Sequence, residues 1–282
     1  MANDDPTKSK RKISIRRVLI PVICFYLLLC LTACSLQRRL LYYPTKIPPD
    51  VVVQSAAEHG LSPWKNPAGQ IIGWKIPAKG SAIGSILIMH GNAGSAIGRD
   101  YIAQPIHDAA ALDVYILEYP GYGARSGSPS KSSLDAAGEE AFELLPHNLP
   151  RYLVSESLGT GVAADLAQAH PNEVAGIAML APYHNLAWVA QRQFWFLPAY
   201  LVFLDRFNPQ AALRSYRGPV KFAIAEKDEV VTATSGRRLA ESYQGPKEIQ
   251  IFPGAGHNDI SAEPPAWWRD VLTFWQTGKA SR

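Results

Sequence analysis

Six short apolar runs limit most strongly what this chain can fold into: residues 83–89, 114–119, 152–154, 174–180, 220–225 and 248–252. Most are separated by segments whose apolar residues recur at helical spacing. A strand buried on both faces shows as an unbroken apolar run, so runs alternating with helices predict an α/β fold with a mainly parallel central sheet and helices on both faces. With 282 residues, 47% hydrophobic and 18% charged, the chain can bury such a sheet in one large domain. Two earlier strands are expected over 51–54 and 70–77, with a Pro- and Gly-containing turn region between them. Open parallel sheets bind ligands at the carboxyl ends of their strands, which directs the search for chemistry to the loops that follow the runs.

The run 152–154 leads into Ser155-Glu156-Ser157-Leu158-Gly159, after which Val162, Ala163, Leu166 and Ala167 keep a helical pattern. Ser157 is therefore expected at a sharp strand-to-helix corner. Such a corner exposes the hydroxyl at the end of the sheet and aims the helix N-terminus at any negative charge forming there. The pattern for the corner is G-x-S-x-G, and here Ser155 replaces the first glycine. Serine is the next smallest hydrogen-bonding choice where strand and helix approach closely. Taken alone, a buried strand followed by a small-residue helix start describes the segment equally well.

Other loops carry candidate groups. His90-Gly91-Asn92-Ala93-Gly94-Ser95 follows the first run. Small residues there let backbone N–H groups converge on one point, as a developing oxyanion needs, although an ordinary glycine turn has the same composition. The stretch from Glu118 to Gly127 reads as a structural loop shaping the site wall. After 220–225, Asp228 is positioned to accept a hydrogen bond from an imidazole, with Glu226 and Glu229 as neighbouring rivals. After 248–252, Pro253-Gly254-Ala255-Gly256-His257 presents a histidine on a glycine-rich loop. His90 and His184 lie beside the expected site, whereas His59, His107, His147 and His170 occupy polar or helix-end settings and are expected at the solvated surface. Cys24, Cys30 and Cys34 all fall near the N-terminus, which leaves the body no cysteine for a metal site or disulfide.

The order Ser157, Asp228, His257 is the nucleophile-acid-base order of α/β-hydrolases. HGNAGS, EYPGYG, the serine corner, KDxxV and GHND together resemble the BEM46-like group of α/β-hydrolases and their serine-peptidase-like relatives, over most of residues 71–275. The resemblance implies that Ser157 is the nucleophile, His257 the general base and Asp228 the carboxylate that orients it. It implies an oxyanion hole from the N–H groups of Leu158 and Asn92, and an acyl-enzyme formed without metal or cofactor.

Hydrolases of this fold carry a cap insertion at the position of residues 184–213, and there this chain is rich in aromatics. Trp188, Phe194, Trp195, Phe196, Tyr200, Phe203 and Phe207 fall within twenty residues. One reading is an apolar lid that selects acyl chains or touches a membrane; the other is a helix or two packed on the core. His90, Tyr122, Trp188 and Phe194 are the candidate substrate contacts. Trp267, Trp268, Phe274 and Trp275 have helical spacing and are expected in the core.

Residues 18–34 carry no charge and follow a basic cluster of Lys8, Lys10, Arg11, Lys12, Arg16 and Arg17, the arrangement of an export signal. Leu31-Thr32-Ala33-Cys34 resembles a bacterial lipobox. That resemblance implies cleavage before Cys34, its lipidation and, with Ser35 next, sorting to the outer membrane of the cell envelope, facing the periplasm. Residues 1–33 would then be a lipoprotein signal peptide, 34–50 a membrane-proximal tether and 51–282 the hydrolase domain. The competing reading is an uncleaved inner-membrane signal anchor. The first seventeen residues hold six basic and two acidic side chains, which accounts for the whole net charge of +4. The body is neutral, and no nucleic-acid partner is expected.

The expected activity is a membrane-anchored serine hydrolase acting on carboxylic or thio-esters with an apolar acyl group. An amide-cleaving aminopeptidase of the same fold is disfavoured because no acidic cluster is placed to bind an amine. A non-catalytic binding scaffold is disfavoured because Ser, Asp and His are all present.

Overall fold

The structure, a computed structural model, describes residues 15–279. Lys8, Lys10, Arg11 and Lys12 of the expected signal lie outside the described residues. In chain order the elements are α1 (Ile15–Leu41), β1 (Tyr43–Pro44), α2 (Val52–Glu58), β2 (Ser62–Lys65), β3 (Ile71–Ile76), β4 (Gly84–Met89), β5 (Ala93–Gly94), α3 (Asp100–Ala109), β6 (Leu112–Leu117), α4 (Lys131–Glu143), β7 (Arg151–Glu156), α5 (Gly159–Ala169), β8 (Val174–Leu180), α6 (Leu186–Gln193), α7 (Ala199–Val202), α8 (Pro209–Ala212), β9 (Val220–Ala225), α9 (Ala233–Ser242), β10 (Lys247–Phe252) and α10 (Pro265–Thr277). The six apolar runs correspond to β4, β6, β7, β8, β9 and β10.

Eight strands form one sheet in the order β10-β9-β8-β7-β4-β6-β3-β2. Those from β10 to β6 run parallel, and β3 and β2 add an antiparallel edge. Every residue of β4, β7 and β9 is buried, which is why these strands read as continuous apolar runs instead of alternating. Helices α3 and α10 pack on each other against one face, and α4 and α5 pack against the other. The four C-terminal aromatics are buried as expected. Trp275 stacks on Tyr152, with ring centroids 4.7 Å apart, and lies flat over β8 at Gly176.

Two local expectations are corrected. Residues 52–58 are helical, not a strand, because burying Val52 and Ala56 on one helical face outweighs the strand preference of consecutive valines. The region read as a turn contains β2, an edge strand that tolerates Pro63 because it lacks a neighbour on one side.

Helix α1 is long and apolar enough to cross a membrane, and it runs without a break through Leu31–Cys34. Residues 35–41, read as part of a tether, are its last two turns. They lie against the loop region between β8 and β9: Gln37 Nε2 donates to the Val202 carbonyl at 3.1 Å, and Arg38 Nε pairs with Asp205 at 3.1 Å.

Candidate active site

Strand β7 ends at Glu156 and α5 begins at Gly159, leaving Ser157 to turn the chain with φ 48°. A positive φ on a non-glycine residue is strained, and the turn is held by Ser157 N donating to the Leu180 carbonyl at 2.9 Å. Ser155 fits at the first pattern position because its side chain lies in the buried interior of the sheet facing β8, with Oγ 3.5 Å from the Ala178 carbonyl. Gly159 cannot be replaced so easily. A Cβ there would lie 2.1 Å from the Met89 carbonyl oxygen of β4.

The loops after β9 and β10 bring the other two groups to this corner. His257 Nε2 is 3.0 Å from Ser157 Oγ, and its Nδ1 is 2.8 Å from Asp228 Oδ2. A carboxylate only accepts, so the imidazole proton belongs on Nδ1 and Nε2 is left to accept from the serine hydroxyl. Asp228 Oδ1 accepts from the backbone N–H groups of Val230 and Val231 at 2.8 and 2.9 Å. Burial alone would raise the Asp228 carboxyl. The hydrogen bond and charge of His257, together with these N–H donors, outweigh it and hold Asp228 below the ordinary carboxylate range. Of its rivals, Glu229 is exposed and Glu226 accepts from Gly254 N at 2.9 Å, which ties the end of β9 to the histidine loop.

Asn92 and Leu158 line the same cavity as Ser157. Neither of their backbone N–H groups has a hydrogen-bond partner among the described residues, so both are free for an incoming oxygen. The loop bearing Asn92 is fastened from several sides. The Asn92 carbonyl accepts from Tyr43 N at 2.9 Å and from Tyr122 OH at 2.7 Å, and Asn92 Nδ2 donates to the Leu41 carbonyl at 2.9 Å. From below, Glu156 accepts from Gly91 N, Arg99 Nε and Tyr101 OH at 3.2, 2.8 and 2.7 Å. Burial pushes the Glu156 carboxyl up, but the Arg99 charge and the Tyr101 hydrogen bond prevail and keep it below its usual value.

Three expected substrate contacts need correction. His90 is fully buried, its ring 4.2 Å from that of Tyr119 and its Nδ1 2.8 Å from the Gly91 carbonyl. Tyr122 is fully buried and spends its hydroxyl on Asn92, so both residues support the loop instead of facing a ligand. Trp188 packs edge-on against His184, 4.9 Å between centroids, outside the cavity lining. Phe194 does line the cavity. The aromatic stretch divides: Phe207 is buried in the core, Phe203 is buried but also lines the cavity with Phe194 and Phe196, and Trp195 is 79% exposed. His107, expected at the surface, is buried and bonds to the Pro77 carbonyl.

Sequence reasoning did not assign Glu156, Arg99 or the segment 41–45 to the site. Glu156 left one trace, a carboxylate closing an otherwise apolar run. Among the described residues, Glu139, Glu143 and His170 have donor spacing suited to a metal, but they lie at the surface between α4 and α5, away from this site.

No protein-family model matches the chain. An uncharacterized Mycobacterium tuberculosis protein is 31% identical over 244 residues, 80% of this chain and 82% of that one. The Schizosaccharomyces pombe protein bem46 is 27% identical over 62% of this chain and 62% of its own length. Human alpha/beta hydrolase domain-containing protein 17B is 28% identical over 62% of this chain and 61% of its own length. Among solved structures, a Pyrococcus furiosus esterase superposes with a TM-score of 0.60 at 14% identity, covering 83% of this chain and 96% of that one. At that identity the likeness is one of fold.

Proposed function

The chain belongs to the α/β-hydrolase superfamily, and from that premise we propose a membrane-bound serine hydrolase that cleaves carboxylic or thio-esters bearing an apolar acyl group. The observation that carries this reading is the hydrogen-bonded line Ser157, His257, Asp228 beside two unpartnered N–H groups. Ser157 Oγ attacks the ester carbonyl as its proton passes to His257 Nε2. The new O–C bond puts negative charge on the carbonyl oxygen, which the Leu158 and Asn92 N–H groups and the α5 N-terminus stabilise. The C–O or C–S bond then breaks, and His257 returns the proton to the leaving group. Water repeats the sequence on the acyl-enzyme, with His257 again as base. Asp228 keeps the imidazole in the tautomer that can accept, and no step calls for a metal or cofactor.

The test is hydrolysis of p-nitrophenyl esters from acetate to palmitate, paired with fluorophosphonate labelling. The wild type should hydrolyse the esters and take up the label at Ser157. Asp228→Asn should lower kcat by roughly 10⁴-fold, because the wrong tautomer leaves Nε2 protonated. Glu229→Gln should stay within a factor of about two, since Glu229 is exposed. The reverse pattern would transfer the orienting role to Glu229. A labelled protein that cleaves peptidyl amides but no ester would favour the aminopeptidase reading.

Anchoring is proposed through the N-terminal segment, either as a lipoprotein lipidated at Cys34 or as an uncleaved signal anchor. The continuity of α1 across the Ala33–Cys34 bond is common to an uncleaved anchor and to a precursor awaiting cleavage, so the mature N-terminus is what separates them. Intact mass of the membrane-extracted protein separates the two. A full-length chain would establish the anchor, and a product beginning at acylated Cys34, lost in Cys34→Ser, the lipoprotein.

A further inference from the structure

The cavity that reaches Ser157 is a groove of about 480 Å³, and one of its walls is α1. Leu29, Ala33, Leu36 and Leu40 line it at successive turns of one helix face. The opposite wall comes from the region between β8 and β9, with Val189, Ala190, Phe194 and Val202 among its residues. Polar side chains along the groove are turned to the protein. Thr32 Oγ1 donates to the Leu28 carbonyl, Tyr183 OH to the Leu158 carbonyl, and Gln37 Nε2 to the Val202 carbonyl, while Gln37 Oε1 accepts from Leu204 N. Apart from these, Gln193, the Tyr43 hydroxyl, which donates to the Leu40 carbonyl, and the catalytic corner, the lining side chains are apolar, so a polar chain would lose most of its water without compensation.

The groove follows the helix toward the membrane. Tyr26 OH donates to the Phe196 carbonyl at 3.0 Å, and Arg38 pairs with Asp205, so α1 and the cap region run side by side between residues 26 and 38. That is a length of about 18 Å at 1.5 Å per residue. Tyr26 lies well within the charge-free stretch of α1. An outward apolar face, with Trp195 79% and Leu201 77% exposed, is therefore held in the same apolar layer as the helix.

Building on the serine-hydrolase reading above, we propose that the substrate is an ester resident in the bilayer. Its acyl chain slides between α1 and the cap until the carbonyl meets Ser157. The N-terminal helix is then a specificity element as well as an anchor, and Leu36 and Leu40, which remain after any cleavage before Cys34, form the part of the wall nearest the site.

Full-length protein in phosphatidylethanolamine–phosphatidylglycerol vesicles tests this with p-nitrophenyl palmitate dissolved in the bilayer and p-nitrophenyl acetate in water. Leu36→Trp and Ala190→Trp obstruct the groove from opposite walls. Each should lower kcat/KM for palmitate at least tenfold more than for acetate. Equal losses on the two esters, or none, would overturn the assignment of the chain to the groove. The double variant Trp195→Ser, Leu201→Ser lies outside the groove. It should slow hydrolysis of bilayer palmitate at least fivefold and leave acetate turnover unchanged, and undiminished palmitate turnover would overturn delivery from the membrane. A wild-type protein that neither hydrolyses acetate nor takes up fluorophosphonate would instead sink the hydrolase reading, and this proposal with it.

Discussion

Ser157→Ala should reduce ester turnover by about 10⁵- to 10⁶-fold, with only background catalysis from the oxyanion donors and binding left. The loss is this large because no other hydroxyl can inherit the position. Ser157 Oγ is the atom bonded to His257 Nε2, on a backbone turn that fixes it within 3.0 Å. The fold should survive, since the variant removes one partly accessible hydroxyl and keeps the corner. A stability comparison makes the prediction sharper. Ser157 holds φ 48°, a conformation that costs about 1–3 kcal/mol for a residue with a Cβ. Alanine keeps that strain and glycine releases it, against about 0.4–1 kcal/mol of extra unfolded-state entropy for glycine. Ser157→Gly should therefore melt above Ser157→Ala while being equally inactive. Retained turnover in either variant would move the nucleophile elsewhere, and a reversed order of melting temperatures would show that the corner is not strained.

Gly159→Ala is expected to be the most damaging single-methyl change near the site. The added Cβ would stand 2.1 Å from the Met89 carbonyl oxygen, 2.8 Å from its carbon and 3.0 Å from the His90 carbonyl oxygen. These are backbone atoms of β4 and of the loop bearing Asn92, so no side chain can rotate away. Helix α5 has to shift relative to β4, which costs about 3–5 kcal/mol, at or beyond the upper end for overpacking. For a domain of this size that is a fall of roughly 10 °C in Tm. The same shift separates the Leu158 and Asn92 N–H groups, so activity of the folded fraction should drop by ~100-fold or more. Gly98→Ala, with open space around its Cβ, is the control and should stay within about 0.5 kcal/mol of wild type. A Gly159→Ala protein as stable as this control would show that the helix and strand do not approach as closely as described.

The legible parts of the molecule share one property: their signal is local. Strand β9 could be read from residues 220–225 because all six are buried, and the serine corner could be read because strand, small residues and helix follow one another in the chain. At α2 three valines favour a strand locally, while the burial of Val52 and Ala56 that makes the segment helical exists only once it packs against β2 and the core. Adjacency in sequence points to His90 and Tyr122 as substrate contacts. Only the directions of their side chains, toward Gly91 and Asn92, show that they brace the loop.

From the sequence alone follow the sheet of parallel strands, the order of Ser157, Asp228 and His257 along the chain, and the apolar N-terminal helix, since strand burial, loop position and hydrophobic length are written in consecutive residues. Tertiary structure alone decided which carboxylate meets the histidine, because Glu226, Asp228 and Glu229 are chemically alike and differ only in the direction the β9 loop gives them. It also decided that Glu156 and Arg99 fasten the loop bearing Asn92 and that α1 forms a wall of the groove. Those contacts join segments 57 to 170 residues apart, and packing of the folded chain is what brings such segments together.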